Sequence, residues 1–368
     1  MQRAAQPRPV ADDPILLPLP MTQPPSPPPR ARTPRSTGRV TLDDVAQAAG
    51  VSPITVSRAL RGARSVAPHL VEQVRQAAVA LGYVPNLAAR SLASSRSQSV
   101  AVLVPLLSNQ LFVNLLEAAQ TVFMQAGYQT LLGVTHYRPE EEQRLLQIHT
   151  AQRPAGLLLT GFDHTPATRE LIAQSGIPCV HMMELAPGEP ELPCVGFSQT
   201  DAGRDITRHL LARGRRRIAF AAAQLDPRAM MRAEGYRQVM REAACYDAGL
   251  ECLDAQPSSM ALGGRMFERL MAERPDVDAI FFCNDDLAHG ALLAAQRMGV
   301  AVPQRVAMAG FNDLEGSDLM LPPLTSVRTP RVEVGQQAAQ MLLALIEGEP
   351  LEPVQVDLGF EVVVRQST

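Results

Sequence analysis

Thr41-Leu42-Asp43-Asp44-Val45-Ala46-Gln47-Ala48-Ala49-Gly50-Val51-Ser52-Pro53-Ile54-Thr55-Val56-Ser57-Arg58 is the stretch that decides the fold of the first structured segment. Thr41 with Asp44 three residues on is a capping-box variant, and Asp43 and Asp44 sit on the positive end of the helix it opens. Leu42, Val45, Ala46 and Ala49 follow at helical spacing. Gly50-Val51 breaks that helix. Ser52 can cap a second one, with Pro53 at the first helical position, where its missing N–H costs nothing. Val56, Ala59 and Leu60 are predicted to face inward. A third helix is predicted over 68–81, with Leu70, Val74, Ala77, Ala78 and Leu81 on one face. Three short helices with a glycine turn between the first two form an all-α helix-turn-helix headpiece over residues 39–84.

Upstream, residues 1–38 hold 11 of the chain's 31 prolines, which predicts a disordered or polyproline-II arm. Met21 lies inside it as an alternative start, and Arg30, Arg32 and Arg35 are candidates for phosphate contacts. Downstream, residues 85–99 read as a hinge. Asn86-Leu87-Ala88-Ala89-Arg90-Ser91-Leu92 is a capped helix too short to persist alone, followed by a Ser-rich connector from Ser94 to Ser99. From residue 100 to 368, short apolar strands alternate with amphipathic helices. Strands are predicted over 100–104, 129–134, 156–160, 178–183, 218–222, 279–283 and 306–310, and helices over 109–126, 139–150 and 285–298. Continuous apolar strands between helices imply parallel sheets covered on both faces. A stretch of this length predicts two α/β lobes with a ligand crevice at the strands' carboxyl ends.

The 368 residues carry 34 basic and 37 acidic side chains, a net charge of −3, and every basic residue is Arg. The average conceals a gradient. From Arg30 to Arg96 there are ten Arg against three acids; from Ser97 onward there are 22 Arg against 32 acids. Such asymmetry suggests a basic arm or module attached to an acidic body. The five cysteines are scattered, without metal-ligand spacing, and read as reduced thiols. The expectation is a cytoplasmic protein with no membrane span, no metal and no cofactor. His136, His164 and His181 read as isolated, Gly263-Gly264 as a turn, and Arg213 with Arg215 to Arg217 as a solvated helix end or subunit contact. No catalytic Ser-His-Asp or Cys-His set and no phosphate loop is present, so an enzyme is not expected.

The segment from Val40 to Arg58 resembles the start of LacI-family regulators, and Gly82-Tyr83-Val84-Pro85-Asn86 with Ala88, Ala89 and Leu92 resembles that family's hinge. The likeness continues through Val104-Pro105, Ser108-Asn109, Gly235-Tyr236, Asn284-Asp285, Gly310-Phe311 and Pro322-Pro323-Leu324-Thr325. Within the family it is closest to the gluconate-responsive repressors. Gly127 to Leu132, Pro139-Glu140-Glu141-Glu142-Gln143-Arg144, His164-Thr165-Pro166 and Asp357-Leu358-Gly359-Phe360 carry that finer likeness. The resemblance implies a headpiece, a hinge helix and a two-lobed core like the periplasmic sugar-binding proteins. It implies a repressor whose affinity for double-stranded operator DNA is controlled by a small carbohydrate-type effector. The ending soon after Val362-Val363-Val364, without a leucine heptad tail, points to a homodimer.

On the recognition helix, Thr55, Ser57 and Arg58 are the polar groups set to face the major groove, with Arg58 able to reach guanine O6 and N7. Pro53 and Ile54 occupy the family's base-reading positions, where neither can hydrogen-bond a base edge, so discrimination there is steric or through a thymine methyl. Thr41, Ser52, Arg61 and Asn86 complete the DNA-contacting set. Leu92 matches the leucine that wedges into the minor groove. In the core, Arg232, in Arg-x-x-Gly-Tyr, matches the family's effector-binding arginine. Asn109, Phe112, Ser198, Asn284 and Asn312 match its pocket positions. Ser198 and Asn312 stand where the family often has Asp. Fewer acids around Arg232 suit a sugar acid better than a neutral sugar.

Overall fold

The computed structural model describes residues 40–60, 65–84, 97–186 and 188–368. The chain divides into two compact units, Met1–Asn86 and Leu87–Thr368. The predicted arm, Arg61 and the hinge residues Asn86 and Leu92 lie outside the described residues.

The first unit contains α1 (Leu42–Ala48), α2 (Pro53–Leu60) and α3 (Pro68–Ala80). The capping box forms as its spacing predicts. Thr41 Oγ1 accepts the Asp44 N–H, and Asp44 accepts from the Thr41 N–H at 2.7 Å. Val45, Ala46, Ala49, Val56, Ala59, Val74 and Ala78 form its small core. Leu60 and Leu81 do not join it. Both lie more than a third exposed, Leu60 at the last turn of α2 and Leu81 at the C-cap of α3, where the inward face has run out. Gln73 Nε2 donates to the Ala49 carbonyl at 3.1 Å, tying α3 to the end of α1.

The second unit holds two parallel-sheet lobes. In chain order its elements are β1 (Ser99–Val104), α4 (Gln110–Gln125), β2 (Gln129–Val134), α5 (Pro139–Ala151), β3 (Gly156–Thr160), α6 (Pro166–Ser175), β4 (Cys179–Met182) and β5 (Cys194–Gly196). They continue as α7 (Gln199–Ala212), β6 (Ile218–Ala223), α8 (Pro227–Glu242), β7 (Glu251–Asp254), α9 (Met260–Glu273), β8 (Ala279–Phe282), α10 (Asp285–Met298) and β9 (Ala307–Asn312). The last are β10 (Thr325–Arg328), α11 (Arg331–Glu347), β11 (Gln355–Asp357) and β12 (Glu361–Val363). The first sheet runs β11-β5-β4-β3-β1-β2 and the second β12-β10-β9-β8-β6-β7. Every pairing is parallel except β10 with β12. The chain therefore crosses between lobes after β5, after β10 and after β11.

The strands β6, β8 and β9 are buried along their whole length, as a sheet covered on both faces requires. Sequence reading missed β5, β7, β10, β11 and β12. These are three or four residues long and most lie at or near a sheet edge, too short to show a period. The predicted strand over 306–310 instead runs from Ala307 to Asn312, so Asn312 ends a strand. Gly263-Gly264 is no turn: both lie inside α9, where a Cβ on Gly263 would meet the Leu287 carbonyl of α10. The arginine run is committed within the chain. Arg215 donates to the Pro303 carbonyl at 2.6 Å, and Arg217 joins Asp247 and Asp276 in an ion-pair cluster with Arg274.

Candidate functional sites

In the headpiece, Ser52 Oγ accepts the Thr55 N–H at 3.2 Å and pairs with the Thr55 hydroxyl at 2.9 Å, which fixes the start of α2. Pro53, Ile54 and Arg58 are exposed, Ile54 to 65%, while Thr55 and Ser57 are half-buried. An isoleucine that far out of the core contributes nothing to headpiece packing and is free for an apolar contact. Thr41 is exposed with its hydroxyl engaged in the capping box.

In the core, left-handed backbone marks one end of both sheets. His136 and Tyr137 follow β2, Met183 follows β4, Gln224 and Leu225 follow β6, and Asn312 and Asp313 close β9, all at positive φ. Each such residue costs about 1–3 kcal/mol and persists only where its surroundings impose it, a pattern typical of binding clefts. All four pairs or singles stand at carboxyl ends of strands, where open α/β sheets bind ligands.

Between these ends lies a cluster of buried charge. Arg228 and Arg232, one turn apart on α8, are 7% and 6% exposed. Arg232 Nε donates to Gln199 Oε1 at 2.8 Å, Nη1 donates to the Cys283 carbonyl at 2.6 Å, and the guanidinium stacks 3.8 Å from the Phe311 ring centre. Burial lowers its pKa from the ordinary value. Arg228 reaches Glu184 in the other lobe at 3.9 Å and Asp226 at 3.4 Å. Burial works against its charge, but Asp226, Glu184 and Tyr137 together outweigh it and hold its pKa above the usual value. Glu184 Oε2 accepts the Phe162 N–H at 3.1 Å, whereas Oε1 is buried without a hydrogen-bond partner. Burial pushes this carboxyl up, with Arg228 opposing. Gly161, at φ 73°, keeps clear the space in which a Cβ would meet Arg228 Nη1. Arg228, Asp226, Thr160, Tyr137 and Glu142 line a cavity of about 30 Å³, room for about two waters.

Asn312 is 3% exposed and its Oδ1 is buried without a partner, while its carbonyl accepts from Arg331 at 2.8 Å. The other predicted core residues are placed differently. Ser198 Oγ accepts the Asp201 N–H and Asn284 Oδ1 accepts the Leu287 N–H, so both are helix caps, as loop Ser and Asn commonly are. Asn109 caps α4 and donates to Asp286 Oδ2 across the lobes at 3.1 Å. Gln110 and Glu315 exchange two further hydrogen bonds beside it. Phe112 is buried in α4 with its ring edge-on to Tyr137. Sequence reading missed Glu184, Asp226, Tyr137 and Arg228. Only Arg228 had a signal, its i, i+4 spacing from Arg232 behind Pro227.

His164 and His181 are not isolated. His164 Nδ1 lies 2.7 Å from Glu142 Oε2, and His181 Nε2 lies 3.1 Å from His164 Nε2, all three residues buried. Burial, and His164 beside it, push the His181 pKa down to about 3, so that ring is neutral. His136 pairs with Glu141 at 3.1 Å. Among the described residues no cluster of three His, Cys, Asp or Glu is placed to hold a metal, and no helix is long and apolar enough to cross a membrane.

A helix-turn-helix unit joined in one chain to a two-lobed α/β core defines a DNA-binding transcriptional regulator. Residues 41–86 match the model of bacterial regulatory proteins of the lacI family, and residues 207–368 match a periplasmic binding protein-like domain. The chain is 55% identical to the HTH-type transcriptional regulator GntR of Pseudomonas aeruginosa over 334 residues, covering 91% of this chain and 97% of that one. It is 39% identical to GntR of Escherichia coli K12, covering 88% and 96%. A crystal structure of the transcription regulator GntR from Chromobacterium violaceum is 50% identical, with a TM-score of 0.71 over 73% of this chain and 98% of that one. The lac repressor dimer bound to operator and an anti-inducer superposes with a TM-score of 0.80 at 26% identity, over 90% and 99%. The chain belongs to the LacI family. It is a DNA-binding transcriptional regulator, as its curated relatives are.

Proposed function

We propose that this regulator is a homodimeric repressor whose operator affinity is controlled by a sugar acid, gluconate or a close relative, bound between the core lobes. The observation that carries the effector class is the arginine pair on α8. Two buried guanidiniums stand on one helix face, Arg228 and Arg232; Glu184 Oε1, 3.9 Å from Arg228, and Asn312 Oδ1, at the end of β9, are buried oxygens without a hydrogen-bond partner. Guanidinium forks match a carboxylate, and acceptor-only oxygens match the hydroxyls of a polyol. Arg228 lines the cavity and is also paired with Glu184, so an incoming carboxylate can take the place of the one Arg228 gives up. The stretches that resemble gluconate-responsive repressors support the same reading.

On the DNA, Thr55, Ser57 and Arg58 supply polar contacts, Pro53 and Ile54 apolar ones, and Thr41, Ser52, Arg61 and Asn86 backbone contacts, with Leu92 wedged at the operator centre. Leu319 and Leu321, 77% and 73% exposed in the loop after β9, are candidates for the dimer contact. A ligand that favours one lobe arrangement biases the hinges and with them the operator complex. The test is calorimetric titration with gluconate, 2-ketogluconate and 6-phosphogluconate, followed by gel shift with the ligand that binds. Heat with one of them and a changed operator affinity are expected; no heat with any sinks the effector class. Release of operator by the ligand marks it as inducer, tighter binding as corepressor.

A further inference from the structure

Two of the stretches that carry the finer likeness, Pro139 to Arg144 and His164 to Pro166, lie in different helix-start segments, yet they meet side chain to side chain. Glu142 Oε2 lies 2.7 Å from His164 Nδ1, and the Thr165 hydroxyl donates to Gln143 Oε1 at 3.0 Å. Behind them, His181 Nε2 reaches His164 Nε2, and its ring stacks on Phe162 at 4.5 Å. Arg169 holds the His164 carbonyl through Nε and Nη2.

Only one proton arrangement along this chain leaves no buried N–H without an acceptor. His164 donates from Nδ1 to Glu142, and His181 donates from Nε2 to the bare Nε2 of His164. The remaining His181 Nδ1 carries a lone pair, and it is the atom that is buried without a partner. The two rings thus spend their donors on orienting one carboxylate. That carboxylate lines the same cavity as Arg228, together with Thr135, Tyr137 and Thr160. The cavity therefore has donors for an anion at Arg228 and a fixed acceptor at Glu142; Arg138, Asp163 and Asp226 complete its charged lining, with Asp226 paired to Arg228.

We propose that Glu142, held by His164 and His181, is a specificity-determining residue that accepts hydroxyls from the polyol tail of the effector while Arg228, in the same cavity, holds its carboxylate. Arg228 and Glu142 set the ligand's direction: a carboxylate turned toward Glu142 meets like charge, whereas at the other end the Arg228 guanidinium offsets Asp226. The polyol must then be long enough to span from one group to the other, so the site selects chain length. His164 and His181 are positioning residues. This rests on the sugar-acid reading above.

The test is calorimetry on the full-length protein with gluconate and with threonate, a four-carbon acid sharing its carboxylate end, the weaker ligand measured by displacement of gluconate. Glu142→Gln is expected to weaken gluconate at least about tenfold and threonate by less than about twofold, collapsing the preference for the longer acid. Glu142→Asp, with the carboxylate drawn back by one methylene, lowers the same ratio. His164→Asn, which keeps an N–H toward Glu142, retains most of it, and His164→Ala does not. An unchanged ratio in both Glu142 variants, whether the two affinities fall together or stay, overturns the proposal. Equal loss in His164→Asn and His164→Ala overturns the role given to the histidines. Wild-type protein giving no heat with gluconate overturns the sugar-acid reading and this inference with it.

Discussion

In the headpiece, Ile54 and Arg58 stand out into solvent on α2; in the core, Arg228 and Arg232 are buried on α8 and bonded to carbonyls and carboxylates. The two regions use arginine for different purposes. An exposed basic face attracts a polyanion over distance and is screened by salt, whereas a desolvated pair recognises a small anion by geometry and is screened little. The sharpest way to break this contrast is ionic strength. Raising salt from 50 to 200 mM should weaken operator binding by about 10³–10⁵-fold if six or more phosphates are neutralised. Effector affinity should change less than about tenfold over the same range. Fluorescence anisotropy with labelled operator and calorimetry with the sugar acid measure the two slopes, and parallel slopes would erase the distinction.

The second test removes one arginine from each region. Arg232→Met leaves Gln199 Oε1 and the Cys283 carbonyl without their donor and should cost the effector about 2–5 kcal/mol, at least about thirtyfold in Kd. Effector-free operator affinity should stay within about threefold. Arg58→Ala should do the reverse, losing about 1–3 kcal/mol on operator with effector affinity unchanged. An Arg232 variant that binds the sugar acid normally would take the carboxylate off α8. Ile54→Ala sharpens the headpiece side further. Its loss should appear on operator and not on non-specific DNA, since an apolar contact reads a base and ignores phosphates.

The same contrast explains what was legible in the sequence. The headpiece helices are started by neighbouring residues, so Thr41, Ser52 and Pro53 announce their places at the helix starts by spacing alone, and the capping box forms where it was predicted. The long central strands and helices of the core were legible for a similar reason, through runs of buried residues between caps. The cleft was not. Glu184 and Arg228 are 44 residues apart and on different lobes, and nothing local in Met182-Met183-Glu184-Leu185 announces that this carboxylate will face a guanidinium. Glu142 and His164 escaped for the same reason, each looking ordinary beside its chain neighbours. Ser198 and Asn284 show how one position can carry two signals. Their positions match pocket residues, but a Ser or Asn before a helix is also the best available cap, and here the helices α7 and α10 use those oxygens.

The smallest effect tests whether the headpiece depends on its local rules as closely as the motif suggests. Thr41→Ala removes both hydrogen bonds of the Thr41 hydroxyl, the one it accepts from the Asp44 N–H and the one it donates to the Asp44 carboxylate, and leaves the backbone half of the capping box in place. It should destabilise α1 by about 1 kcal/mol, read as about fivefold faster hydrogen exchange at the Val45 to Ala49 amides. The core amides of β6 and β8 should exchange at unchanged rates. Hydrogen bonds from the Thr41 backbone and then its side chain lower the Asp44 pKa below 3.8. A carboxyl whose folded pKa is depressed contributes stability that is fully present above its unfolded pKa and is lost as pH falls through the folded one. The gap between wild type and Thr41→Ala should therefore be full at pH 6 and narrow below about pH 3.8, leaving the part due to the Thr41 hydroxyl accepting the Asp44 N–H, which does not titrate. A gap that stays constant through that range would mean that the bond from the Thr41 hydroxyl to the Asp44 carboxylate adds nothing to the cap, and that the hydroxyl acts only as the acceptor of the Asp44 N–H.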